Sequence, residues 1–164
     1  MANPIPQQTP QSYLKTIGVI HLALILGQVM FGVLIICQTR QSILFIPKAN
    51  DSFFIVAIIL TITAIAGGTF WFKQNIDNAT SKDSLKQKLM VYQTAFIKRF
   101  ALLDGASLFA IVVSSVRGNL FYLLIAGAII LFMLVLRPTK DKIENDLNLS
   151  YDDKMQFDSS EPLE

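Results

Sequence analysis

Asp104 and the chain's single histidine, His21, stand inside stretches that are otherwise free of formal charge. A carboxylate in apolar surroundings can take up a proton or a small cation, and an imidazole titrates near neutral pH. Gln28 lies two turns beyond His21 on the same helical face, and Ser107 lies one turn beyond Asp104. Both side chains can donate to or accept from an ionised neighbour. Asp104, His21, Gln28 and Ser107 therefore form a candidate intramembrane polar site, with His21 as the expected partner of Asp104. Lys98 and Arg99 precede Asp104 by six and five residues rather than three or four, which suits neither as its intrahelical partner. The same residues also have a plainer use. Polar side chains in membrane helices hydrogen-bond across helices and fix their register. Structural glue, a proton or ion site, and a contact with a second copy or another subunit all stay open.

Other chemistry finds no support in the sequence. One His and one Asp supply two ligands where a structural metal site takes four, so no metal and no cofactor are expected. There is no Gly-rich phosphate loop, no His-Glu-x-x-His and no Gly-x-Ser-x-Gly, and the expectation is of no enzyme. Cys37 has no second cysteine to pair with, and bulky Ile35 and Ile36 stand where a lipoprotein signal needs small residues.

The elements that must position these residues are set by charge distribution. Four stretches, at about 16–37, 52–72, 100–116 and 120–136, carry no formal charge except Asp104. Each is about the 17–25 residues a helix needs to cross a hydrocarbon core. Backbone groups in lipid must be satisfied within the element, so each reads as a helix. Residues 100–116 hold nine Leu, Ile, Val or Phe, an insertion gain of roughly 3–5 kcal/mol, against a cost of about 2.5–3.5 kcal/mol for an aspartate at a helix centre. Asp104 must accordingly face the bundle rather than lipid.

Of the 14 basic residues, Arg40, Lys48 and Arg117 alone fall in the connections after the first and third stretches. The other 11, among them Lys82, Lys86, Lys88, Lys98 and Arg99, fall beside the N-terminus, in the middle loop or in the tail. The positive-inside rule puts both termini and the middle loop in the cytoplasm. The five basic residues just named are expected at the inner membrane surface beside anionic lipid, with no nucleic-acid role.

Between the stretches, Ser84 and Gln87 make a capping-box pattern, and Leu85, Leu89, Tyr92 and Phe96 follow as one helical stripe. This predicts an amphipathic helix at 84–96 resting on the inner leaflet, or binding a partner. The expected organisation is a disordered tail at 1–13, a membrane domain at 14–138 and a cytoplasmic tail at 139–164. Within the membrane domain the helices fall at about 14–37, 52–73, 97–117 and 119–136. Residues 42–47 are expected along the outer membrane boundary. In the tail, Thr139 is a candidate cap for a short helix over 140–147, and the acidic remainder from Asp152 is expected to be partly disordered. The fold class is all-α, a four-transmembrane-helix bundle with an interfacial amphipathic helix between helices two and three. An offset of 83 aligns Lys15 with Lys98 and His21 with Asp104, which suggests two hairpins related by a parallel repeat.

Phe96-Ile97-Lys98-Arg99-Phe100-Ala101-Leu102-Leu103-Asp104-Gly105-Ala106-Ser107-Leu108-Phe109-Ala110, with Leu136-Arg137-Pro138-Thr139-Lys140-Asp141-Lys142-Ile143, resembles a group of uncharacterised small four-helix membrane proteins of Bacteroidota-type bacteria. That resemblance implies a bacterial inner membrane and brings no activity with it. Ala101 to Val113 is also similar to the carboxylate helix of rotary ATPase proteolipid (c-type) subunits, where Asp104 would take the ion-binding place. Here, however, the carboxylate is on the first helix of its hairpin, the orientation is reversed, and the glycine-rich repeat of the partner helix is missing. The functional expectation is a non-enzymatic structural or accessory membrane subunit. The alternative is a proton- or ion-linked protein using an Asp–His pair. The lipid bilayer and a second copy or a membrane-complex partner are the expected contacts.

Overall fold

The computed structural model describes residues 9–38, 44–48, 50–82 and 84–159, which form six helices and no strand. Helix α1 is Pro10–Gln38, α2 Ser52–Thr80, α3 Leu85–Arg117, α4 Phe121–Val135, α5 Lys140–Asp146 and α6 Tyr151–Asp158. Their ends follow local chemistry. Pro10 sits at the first turn of α1, where its missing N–H costs nothing, and the Thr9 hydroxyl accepts from Ser12 N–H. Asp51 caps α2 through Phe53 N–H, and Ser84 caps α3 through Gln87 N–H. Gly118 ends α3 at φ +60°, a left-handed conformation that glycine adopts without a Cβ penalty. Thr139 caps α5, and Ser150 with Asp153 closes a capping box on α6.

Two helices, α1 and α2, are long and apolar enough to cross a membrane. Helix α4 passes the same test only together with α5, across a bend of 82°. The outward apolar faces of α1 and α2 are plain in their burial. Only 22% and 17% of the residues in their most apolar windows are buried in protein, and Leu22, Met30, Ile59 and Ile62 point outward.

Helix α3 is the axis of the fold. It packs against α1, α2, α4 and α6, and α1 also touches α4. Consecutive α1 and α2 make at most a weak contact with each other, while α3 and α4 form a close antiparallel hairpin. The two halves are therefore not equivalent hairpins, as a parallel repeat would require. The alignment of α1 with α3 is also different from the expected one. Tyr13 Oη donates to the Leu89 carbonyl, and Gln28 bonds Asp104; both pairs are separated by 76 residues. An offset of 76 rather than 83 shifts the register by one heptad, about 10 Å along the axis.

The end at which α1 and α3 begin and α2 and α4 finish is built up beyond the bundle. Helix α3 starts at Leu85 and runs without a break, so the expected amphipathic helix is its first three turns. Leu85, Leu89, Tyr92 and Phe96 are each no more than 2% exposed. They pack with Tyr13, Phe72 and Ile76, and with Ile143, Leu147 and Phe157 of the tail, rather than on a leaflet. Two further expectations change here. Residues 10–13 belong to α1, not to a disordered tail, and residues 1–8 lie outside the described residues. The acidic segment from Asp152 is helical to Asp158, with Phe157 buried. Apolar anchors, not the net charge of the segment, decide its order.

Candidate functional site

Helix α1 presents one face to the rest of the protein: Tyr13, Ile17, His21, Ile25, Gln28 and Ile35. Every third or fourth residue falls on this stripe, and three of the six are polar with a partner on another helix. Tyr13 reaches Leu89 at 2.8 Å. His21 Nε2 lies 3.0 Å from the Met133 carbonyl, which can only accept, so Nε2 carries the proton of that bond. Its ring also stands edge-on to Phe100, with centroids 5.1 Å apart. Gln28 Nε2 donates to Asp104 Oδ1 at 2.6 Å and lies 3.4 Å from Met133 Sδ.

His21 and Asp104 are thus not partners. No hydrogen bond or ion pair joins them among the described residues, because the one-heptad shift carries Asp104 to the level of Gln28. The structure brings Asp104 and Gln28 together, keeps Ser107 on the same face of α3, and assigns His21 to the last turn of α4. Asp104 is half-buried, while Gln28 and Ser107 are sealed from solvent. Gln28 uses its amide nitrogen on Asp104, leaving Gln28 Oε1 without a partner; Ser107 Oγ is likewise unpaired. The glycines of α1 and α2 differ in what they permit. A Cβ added at Gly18, Gly27 or Gly32 would meet nothing within 4 Å, so these glycines do not mediate close helix approach. At Gly68 of α2 a Cβ would meet Arg99 Cγ at 3.3 Å, so this glycine lets the arginine cross.

Two of the five expected surface cations are turned inward. Arg99 runs over α2, donating from Nη2 to Thr69 Oγ1 at 3.0 Å, with its guanidinium 5.1 Å from the Phe72 ring and 6.0 Å from the Phe132 ring. Lys88 meets Asp153 of α6 at 2.7 Å. Lys82, Lys86 and Lys98 are exposed.

The tail contacts were not foreseen. Tyr92 Oη donates to Asp146 Oδ2 at 3.3 Å. Burial pushes the Asp146 carboxyl above its usual range, although Lys142, Tyr92 and Arg99 oppose the shift. Burial acts upward on Asp153 too, but the Lys88 ammonium and Ser150 outweigh it and hold this carboxyl low. The bond from Tyr92 had no local signal, because it joins residues 54 apart.

At the opposite end, Asn119 is buried and clamps the segment before α2. Its Nδ2 donates to the Phe45 carbonyl at 3.1 Å, and its Oδ1 accepts from Phe45 and Phe121 N–H. Arg117 pairs with Asp51 at 3.2 Å and covers the Phe53 ring. Asp51 is drawn below the usual carboxylate range: desolvation acts upward, but Phe53 N–H and the Arg117 guanidinium prevail. A buried asparagine directly after the Gly118 turn was the available signal for this clamp.

Across the site, hydrogen bonds tie α1 to α3 and α4 and leave two buried side-chain oxygen atoms, Gln28 Oε1 and Ser107 Oγ, without a partner. Comparison with protein-family models, with curated proteins and with solved structures finds no match to this chain.

Proposed function

We propose that this chain is a multi-pass integral membrane protein of a bacterial inner membrane, acting as a non-enzymatic structural or accessory subunit. In this reading α1, α2, the second half of α3 and α4 cross the bilayer, and both termini and the 81–84 connection are cytoplasmic. The outward apolar faces of α1 and α2 support the membrane assignment, and the 11-to-3 distribution of basic residues supports the orientation. The observation that carries the functional reading is the use made of the polar residues. His21, Gln28 and Asp104 each bond across a helix interface. That is what membrane bundles do with polar groups that set register. Helices α1 and α2 keep broad apolar faces free, and such faces suit contacts with lipid, a second copy or a larger membrane complex.

A second reading draws on one specific observation. Gln28 Oε1 and Ser107 Oγ are buried and unpaired, the first on the side chain that donates to Asp104 and the second one turn beyond Asp104 along α3. Three oxygen-bearing side chains of this kind could take a proton or a small cation. Replacing Asp104 with Asn separates the two readings. The structural reading expects altered stability in detergent and no proton or sodium flux in liposomes from either protein. The ion-linked reading expects flux in the parent protein that Asp104→Asn abolishes while the fold persists.

A further inference from the structure

A cleft of about 460 Å³ opens between the first turns of α1 and the end of α4. Lys15, Gly18 and Leu22 form one wall, and Leu134, Arg137 and Pro138 form the other. We propose that this cleft binds one anionic phospholipid of the inner leaflet. Its phosphodiester would lie between Lys15 and Arg137, and an acyl chain would follow the outer face of α1.

Charge complementarity is the first support. Lys88, Arg99, Arg117 and Lys140 all have partners within the protein. The side chains of Lys15 and Arg137, like those of exposed Lys73 and Lys98, have no hydrogen bond or ion pair among the described residues, and what sets the two apart is that they come from separate elements to one cleft. The second support is continuity with an apolar track. Val19 and Leu22 line the cleft and are more than half exposed, and Leu26 and Met30 carry the same surface onward by one and two turns. A cationic mouth opening onto an apolar track fits a lipid and does not fit a free anion. The third support is position. Arg137 follows α4 directly, where the chain leaves its apolar segment, and Lys15 precedes the uncharged part of α1. Within the proposed orientation both lie at the level of inner-leaflet headgroups.

This proposal rests on the membrane reading above, and its test separates the two. The full chain is purified in a neutral maltoside detergent, and native mass spectrometry follows binding of phosphatidylglycerol and phosphatidylcholine. An exposed ion pair contributes up to about fivefold, so two give up to about 30-fold preference for phosphatidylglycerol. Lys15→Gln with Arg137→Gln should remove that preference. Gly18→Leu should block binding without touching charge, and a Cβ at Gly18 meets nothing within 4 Å. Lys73→Gln with Lys154→Gln makes the same change in net charge elsewhere and should leave the preference in place. The proposal is overturned by equal affinity for the two lipids, by equal loss in the two double variants, by unimpaired binding in Gly18→Leu, or by complete displacement with millimolar inorganic phosphate. A chain that stays folded and monomeric in buffer without detergent, read by circular dichroism and analytical ultracentrifugation beforehand, sinks the membrane reading instead.

Discussion

The contact between Gln28 and Asp104 can be tested by a double-mutant cycle with Gln28→Leu, Asp104→Leu and the combination. At 2.6 Å to a carboxylate this is a charge-assisted hydrogen bond. Bonds to charged groups contribute about 1.5–3 kcal/mol in soluble proteins. Interhelical bonds measured in a membrane average about 0.6 and reach about 1.7 kcal/mol, because the unfolded state in lipid also finds partners. The ranges overlap near 1.5 kcal/mol, and the short distance and half-burial of Asp104 place the coupling there. Neither single variant reports this number. Gln28→Leu loses the bond but also removes the unpaired Oε1, whose burial costs about 1–3 kcal/mol, so its net effect falls near zero. Asp104→Leu removes a costly carboxylate and strands the whole Gln28 amide. Only the cycle isolates the pair. The assay is reversible unfolding in mixed dodecyl sulfate micelles. A coupling energy within about 0.5 kcal/mol of zero, the range of independent sites, would refute the claim that this bond locks α1 to α3.

Three further outcomes follow from the same contacts. His21→Leu loses the bond to the Met133 carbonyl and should cost about 1 kcal/mol in the same unfolding assay. Phe157→Ala empties a buried aromatic site where such changes cost about 3–5 kcal/mol, so α5 and α6 should become sensitive to limited proteolysis while the apolar helices stay protected. Tail docking should also depend on pH with a maximum on the acid side. Asp146, whose folded value is raised, contributes stability that is fully present below about pH 4 and is lost as pH rises through that raised value. Asp153, whose folded value is lowered, contributes stability present above about pH 4 and lost as pH falls through it. Protection of the α5 and α6 amides, taken relative to their intrinsic exchange rates at each pH, should therefore rise from pH 7 toward about pH 4–5 and fall below. Asp146→Asn should remove the first limb alone.

What could be read from the sequence was whatever is local. Uncharged runs marked the apolar segments, Ser84 and Thr139 marked their caps, and the stripe from Leu85 to Phe96 marked one buried helical face. Thr9-Pro10 is an equally local start signal for α1, masked by the surrounding proline and glutamine, whose composition is that of a disordered tail. What stayed hidden was which surfaces meet. Matching Lys15 to Lys98 implied one register for α1 and α3. Packing chose another, in which Tyr13 meets Leu89, and a shift of two turns exchanged the partners of His21 and Asp104. Nothing in the sequence within either helix encodes that choice, because it depends on the close fit of both against α4. The tail conceals its order for a similar reason. Asp152, Asp153 and Asp158 dominate its composition, while Phe157, which holds it down, is a single residue whose partners lie far away in sequence.

The length of α3 ties these observations together. Its 33 residues make a helix about 50 Å long, whereas a hydrocarbon core is about 30 Å thick. If residues from Phe100 onward lie in the bilayer, roughly four turns project from it, carrying Leu85, Leu89, Tyr92 and Phe96 into water on one face. Helix α2 covers part of that face with Phe72 and Ile76, and Tyr13 covers another part. The remaining opening is the one filled by Ile143, Leu147 and Phe157. The bend of 82° after α4 is what turns the chain back across it. The tail is therefore part of the fold's apolar core, and the ion pair between Lys88 and Asp153 sits at its edge. A chain ending at Pro138 would leave this face exposed at the membrane surface, where it would seek lipid or another protein.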